Sequence, residues 1–109
     1  TQKEGLEMVN IVPNPYHGAS SYETNQLDNK VKIINLPRVC TISIYSINGS
    51  LIHQFSKDAE TTELEWNLTN MYGIPIASGL YVIHVDAPGI GEKVLKWFGT
   101  MRPLDLNTF

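Results

Sequence analysis

The spacing of apolar residues constrains this chain most: they come in short runs that alternate with polar residues, and turn residues break each run before a helix of useful length develops. Residues 30–33 read Lys-Val-Lys-Ile, which places Val31 and Ile33 on one face of a strand. Residues 40–45 repeat the pattern, with Cys40, Ile42 and Ile44 directed inward and Thr41, Ser43 and Tyr45 on the other face. In residues 62–68, Leu64, Trp66 and Leu68 share a face opposite Glu63, Glu65 and Asn67.

Further strands are expected over residues 8–12, 51–55, 80–85 and 93–98. Pro13-Asn14-Pro15 stops the first, because each proline removes a ladder donor. Asn48-Gly49 is the strongest hairpin signal, since both residue types tolerate the positive φ of tight turns. Residues 80–85 are apolar except for His84, which predicts a central strand buried on both faces. Residues 17–29, rich in Ser, Asn and Thr, read as a long surface loop. About seven short strands in a chain of 109 residues predict an all-β, Ig-like antiparallel β-sandwich over residues 1–100, with a C-terminal tail over 101–109.

A formal charge of −3 with eight scattered basic residues argues against a nucleic-acid partner, because phosphate neutralisation needs clustered Lys and Arg. No apolar run approaches the ~20 residues of a membrane span, so no membrane insertion is expected. The first residues carry no signal peptide, which leaves a cytosolic protein or a piece of a larger exported one. Cys40 is the single cysteine, so neither an internal disulfide nor a thiolate zinc cage is available, and it reads as a small buried hydrophobe.

The candidate chemistry is sparse. His84 and Asp86 share one side of a strand, but two ligands do not make a metal site, and His17 and His53 fall in unrelated segments. Glu63 and Glu65 read as a solvated strand face rather than an acid–base pair. Ser20, Ser21 and Ser78 lack a nucleophile elbow. Asp28-Asn29 and the Pro-Asn-Pro loop offer oxygens to calcium without an Asp-rich loop to support them. No catalytic, metal or cofactor site is therefore expected, and the chain reads as non-enzymatic. Tyr16, Trp66, Tyr72 and Trp97 raise a carbohydrate-binding alternative, although Trp66 reads better as core. Trp97 and Phe98 are adjacent in a strand, so one must point outward or be covered, with Leu104, Leu106 or Phe109 as the preferred cover.

Three segments in order, Val12-Pro13-Asn14-Pro15-Tyr16, Ile76-Ala77-Ser78-Gly79-Leu80-Tyr81 and Lys93-Val94, resemble the C-terminal domains that Bacteroidota attach to proteins exported by the type IX secretion system. Asn35-Leu36-Pro37 and Ile44-Tyr45-Ser46-Ile47-Asn48-Gly49 fit the same template between them. Those domains are in turn similar to the Ig-like domain of flagellar hook-capping proteins. The resemblance covers residues 9–98, and its motif positions are Pro13, Asn14, Pro15, Gly79, Tyr81, Lys93 and Val94. Each also has a local reading: the prolines stiffen the way into a loop, Gly79 avoids crowding a neighbour, and Tyr81 packs inward with its hydroxyl at the rim. Family signals usually stop within a few residues of the last Lys-Val motif, whereas this chain continues to Phe109.

The resemblance implies a C-terminal domain of a larger exported protein, partnered by preceding domains and the type IX machinery and located at the cell surface or outside the cell. Trp97, Phe98 and Phe109 are its candidate partner surface. The alternatives are an accessory module that binds carbohydrate or a protein, and a structural spacer.

Overall fold

The alternating runs assemble into two sheets in a computed structural model that describes residues 5–14, 16–17 and 30–100. The smaller sheet is antiparallel, in the order β1 (Asn10–Val12), β3 (Val31–Ile34), β6 (Leu64–Trp66). The larger has the order β2 (Tyr16–His17), β8 (Gly91–Thr100), β7 (Gly79–Ala87), β4 (Val39–Ser46), β5 (Leu51–Asp58), antiparallel except for β2, which pairs in parallel with β8. The expected β-sandwich is present, and its core lies between the sheets. Ile11, Val31, Ile33 and Trp66 from the smaller sheet face Cys40, Ile42, Ile44, Tyr81, Ile83, Val85 and Trp97 from the larger.

Side-chain alternation places each strand. On the smaller sheet Ile33 pairs with Ile11 and Leu64 on the inner face, while Lys32 pairs with Glu65 on the outer one. Exposed ion pairs Lys30–Glu65 (3.6 Å) and Lys32–Glu63 (3.5 Å) cover that outer face. Such pairs add little stability but keep the face soluble. The two carboxylates are thus paired with lysines.

Several local expectations need correction. β7 is central but not buried on both faces: Tyr81, Ile83, Val85 and Ala87 are buried, while Leu80, Val82 and His84 on the other face are only half-buried. The strand expected over 62–68 ends at Trp66, because Leu68 takes φ +63°. That value is costly for a bulky residue, yet it seats Leu68 in the core and lets its carbonyl accept from Ile76 N at 3.0 Å. Gly79 is needed for its φ of +155°, not for lack of room, since a Cβ there would meet nothing within 4 Å. The hairpin after β4 closes at Ser46–Ser50, with only Gly49 of the Asn-Gly pair at positive φ (+92°), so the connection holds three residues rather than two.

Burial separates what carries the fold from what does not. Ile83→Ala should cost about 2–5 kcal/mol, and Val94→Ala, on the exposed side of β8, less than about 0.5 kcal/mol. Urea midpoints of the two variants check this.

Candidate functional site

The smaller sheet's first strand does not simply stop at its prolines. Residues 12–16 carry the chain from β1 to β2, across to the other sheet, and the Val12–Pro13 peptide is cis. The corner is fastened to β8 by side chains. The Trp97 indole N–H donates to the Pro13 carbonyl at 2.9 Å, and Asn14 Nδ2 donates to the Lys96 carbonyl at 3.0 Å. Asn14 Oδ1 accepts from Phe98 N at 3.5 Å. Asn14 thus occupies donor and acceptor groups along the edge of β8, as a neighbouring strand would.

Beneath the corner lies a cluster of rings. Trp97 is fully buried, with ring centroids 5.5 Å from Trp66, 5.9 Å from Tyr81 and 6.2 Å from Tyr16. The Trp66–Trp97 contact is edge-to-face, a geometry that contributes beyond simple burial. The Tyr81 hydroxyl donates to the Ala77 carbonyl at 2.6 Å and ties the segment before β7 to the strand itself. Pro13 and Tyr81 therefore meet at Trp97, Asn14 bonds the two chain neighbours of Trp97, and Gly79 lies opposite Gly99 two residues along. Lys93 and Val94 lie further along β8, where Lys93 Nζ donates to the Glu7 carbonyl at 3.3 Å and Val94 is exposed. Pro15 and Phe109 are outside the described residues, as are Ser20, Ser21, Asp28, Asn29 and the tail residues Leu104 and Leu106.

The outer face of the larger sheet divides into two halves. One half is polar: Thr41 pairs with Asp86, which pairs with Glu92, and Ser43 pairs with both Gln54 and His84. His84 Nε2 lies 2.7 Å from Glu92 Oε1, so the histidine is engaged by a carboxylate across the strands. The other half is apolar. Phe98 pairs with Leu80, and Tyr45 bridges Val82 and Leu51, with Lys96 the charge among them. Phe98 is 44% exposed. Of the rings proposed for carbohydrate, Tyr16, Trp66 and Trp97 are buried and Tyr72 is 84% exposed, so they form no shared platform.

One buried charge escaped the sequence analysis. Lys57, only 7% exposed, donates to the Pro37, Arg38 and Ala59 carbonyls at 2.7, 3.2 and 2.7 Å, which uses every ammonium proton. The alternation that turns His53 and Phe55 inward also predicts this orientation, had the strand been carried past Phe55. The ammonium lies beside Cys40, whose thiol burial pushes up against the opposing pull of that charge. Among the described residues no group of three or more His, Cys, Asp or Glu is placed to hold a metal ion, and no helix is long and apolar enough to cross a membrane.

The corner, the ring cluster and the two-sheet order define an Ig-like β-sandwich module. Among solved structures the chain is similar to PorZ, an essential bacterial surface component of the type IX secretion system of Porphyromonas gingivalis. The match has 28% identity and a TM-score of 0.70 over 88% of this chain and 12% of that one. Dimeric latent PorU from the same organism shares the fold at 22% identity and TM-score 0.56, over 86% of this chain and 9% of that one. CopC from Methylosinus trichosporium OB3b shares it at 21% identity and TM-score 0.51, over 89% of this chain and 93% of that one. The chain thus spans about a tenth of PorZ and PorU. No family model matches it, and no curated protein does. The likeness links this β-sandwich to domains of type IX secretion components.

Two predictions follow from the geometry. Trp97→Phe removes the bond to Pro13 and should cost about 1–3 kcal/mol, against about 0.5–1.5 kcal/mol for Asn14→Ala, both read from urea unfolding. Burial raises the Tyr16 and Tyr81 phenols above their ordinary 10.0, so above that pH the folded chain retains protons that the unfolded chain has lost. Stability should hold below the ordinary tyrosine value and fall as pH rises past it, which urea midpoints across that window would record.

Proposed function

We propose that this chain is a non-catalytic domain of a larger exported protein, recognised as a folded surface by the type IX secretion machinery and serving to place its parent at the cell surface. The observation that carries this reading is the 28% identity to PorZ along 88% of the chain, with PorZ described as a surface component of that system. The contacts of Pro13 and Tyr81 with Trp97, and of Asn14 with the neighbouring backbone of β8, support it from within. These motif residues shape one end of the sandwich and hold no reactive group in place. Recognition then depends on an intact fold, and the partners are the secretion machinery and the preceding domains of the parent.

A spacer would need only a polar exterior, and the apolar half of the large sheet's outer face favours docking instead. A sugar-binding module would need exposed rings lying side by side, and three of the four candidates are buried.

A periplasm-directed fluorescent reporter fused to residues 1–109 tests the proposal in a bacterium with a working type IX system and in its translocon-null counterpart. Fluorescence at the surface or in the medium of the working strain alone is the expected result. Periplasmic retention in both strains would refute it.

A further inference from the structure

We propose that the free edge of β5 pairs antiparallel with the same strand of a second copy of this chain, so that two larger sheets join into one across a two-fold axis at Ser56. Ser46 N donates to the Ser50 carbonyl and Ala59 N to the Arg38 carbonyl, so the even-numbered residues along β4 are those bonded to β5. Alternation then bonds Cys40 to Lys57 and Ile42 to Phe55, and it turns the N–H and C=O groups of Gln54, Ser56 and Asp58 away from β4. The Ile52 carbonyl points the same way and accepts from Met71 N at 3.1 Å. Among the described residues no strand pairs with β5 on that side.

The other edges among the described residues are short or closed. β2 has two residues, and β1 and β6 have three each. Asn14 occupies the edge groups of β8 at the Lys96 carbonyl and the Phe98 amide. β5, in contrast, runs for eight residues without a proline, and its irregular register and the bond from Met71 close it only as far as Ile52. Its lysine, Lys57, is turned inward onto three carbonyls and cannot guard the edge. An open edge without such a guard is a template for another strand.

A second copy matches what is left open. The open groups run from Gln54 to Asp58 and are centred on Ser56. A copy turned about that residue sets Ser56 against Ser56, Gln54 against the second copy's Asp58, and Asp58 against the second copy's Gln54. All three positions point outward on both chains, which allows about six backbone hydrogen bonds. No like charges meet: Asp58 faces an amide, and the Lys57 ammonium, opposite Phe55, is already bound. Ile52, whose carbonyl is taken, falls outside the pairing. The same bonds close both edges at once, a gain that only a partner with an unpaired edge shares. This inference is independent of how the domain is exported.

Sedimentation of the full 109-residue chain up to millimolar concentration, together with three variants, tests it. The expected result is a reversible dimer whose dissociation constant rises at least about fivefold in Ser56→Lys, which sets like charges opposite each other on an exposed face. Across the axis the two Ser56 Cα atoms would stand about 5.5 Å apart, within reach of a disulfide, and the two Gln54 Cα atoms about 14 Å apart. Mild oxidation should therefore cross-link Ser56→Cys and leave Gln54→Cys uncross-linked, with Cys40 buried in both. A monomer at millimolar concentration with no Ser56→Cys cross-link would overturn the proposal. So would a dimer that Ser56→Lys leaves intact, since another face would then hold it. Slow hydrogen exchange at the Gln54 and Ser56 amides of a monomer would overturn it in favour of another segment of this chain on the edge.

Discussion

The hydrogen bond from the Trp97 indole to the Pro13 carbonyl joins the first strand's corner to the last strand, and the way the chain crosses between the sheets depends on that join. The largest buried rings of both sheets meet at Trp97, so the same side chain fills the core and anchors the crossing chain. Without the anchor β1 would still pair with β3, but the short parallel strand at Tyr16 and His17 would hold β8 through only two register pairs. Asn14, set on the Lys96 carbonyl and the Phe98 amide, continues the function of a strand where the prolines cannot supply donors. The motif is thus a means of moving a chain between sheets without leaving β8 with an open edge at that point.

The same anchoring sets the sidedness of the larger sheet. Because Trp97 points into the core, Phe98 must point out, and the pleat carries that choice to Leu80 on the neighbouring strand. An apolar patch on the exterior is then a direct consequence of adjacent aromatics in β8. The polar half of that face lies with Asp86 and Glu92, near the turn that joins β7 to β8. A domain built this way presents chemically distinct ends on one face of its larger sheet.

The sandwich was legible in the sequence wherever alternation ran for four residues or more. Val31 and Ile33, or Cys40, Ile42 and Ile44, can satisfy a core only as strands, and the structure buries all of them. Trp66 and Trp97 differ in this respect: the first was readable as core from Leu64 beside it, whereas Trp97 and Phe98 were symmetric until a partner chose between them. That partner, the Pro13 carbonyl, lies 84 residues away in sequence, a separation no local pattern reports. The strand at Tyr16 and His17 is too short to show a period, and Leu68 leaves the strand region despite its apolar spacing because its carbonyl is needed by Ile76. Lys57 was hidden by the habit of assigning lysine to solvent, although its stem follows the inward alternation and its charge is met by three carbonyls.

Native-state hydrogen exchange of the Trp97 indole N–H tests most directly whether the corner is built into the cooperative core. The account predicts that this proton exchanges only through global unfolding, with the same denaturant dependence as the amides of Ile42 and Ile83. Exchange through a local opening, at a free energy well below that of those central strands and independent of denaturant, would contradict it.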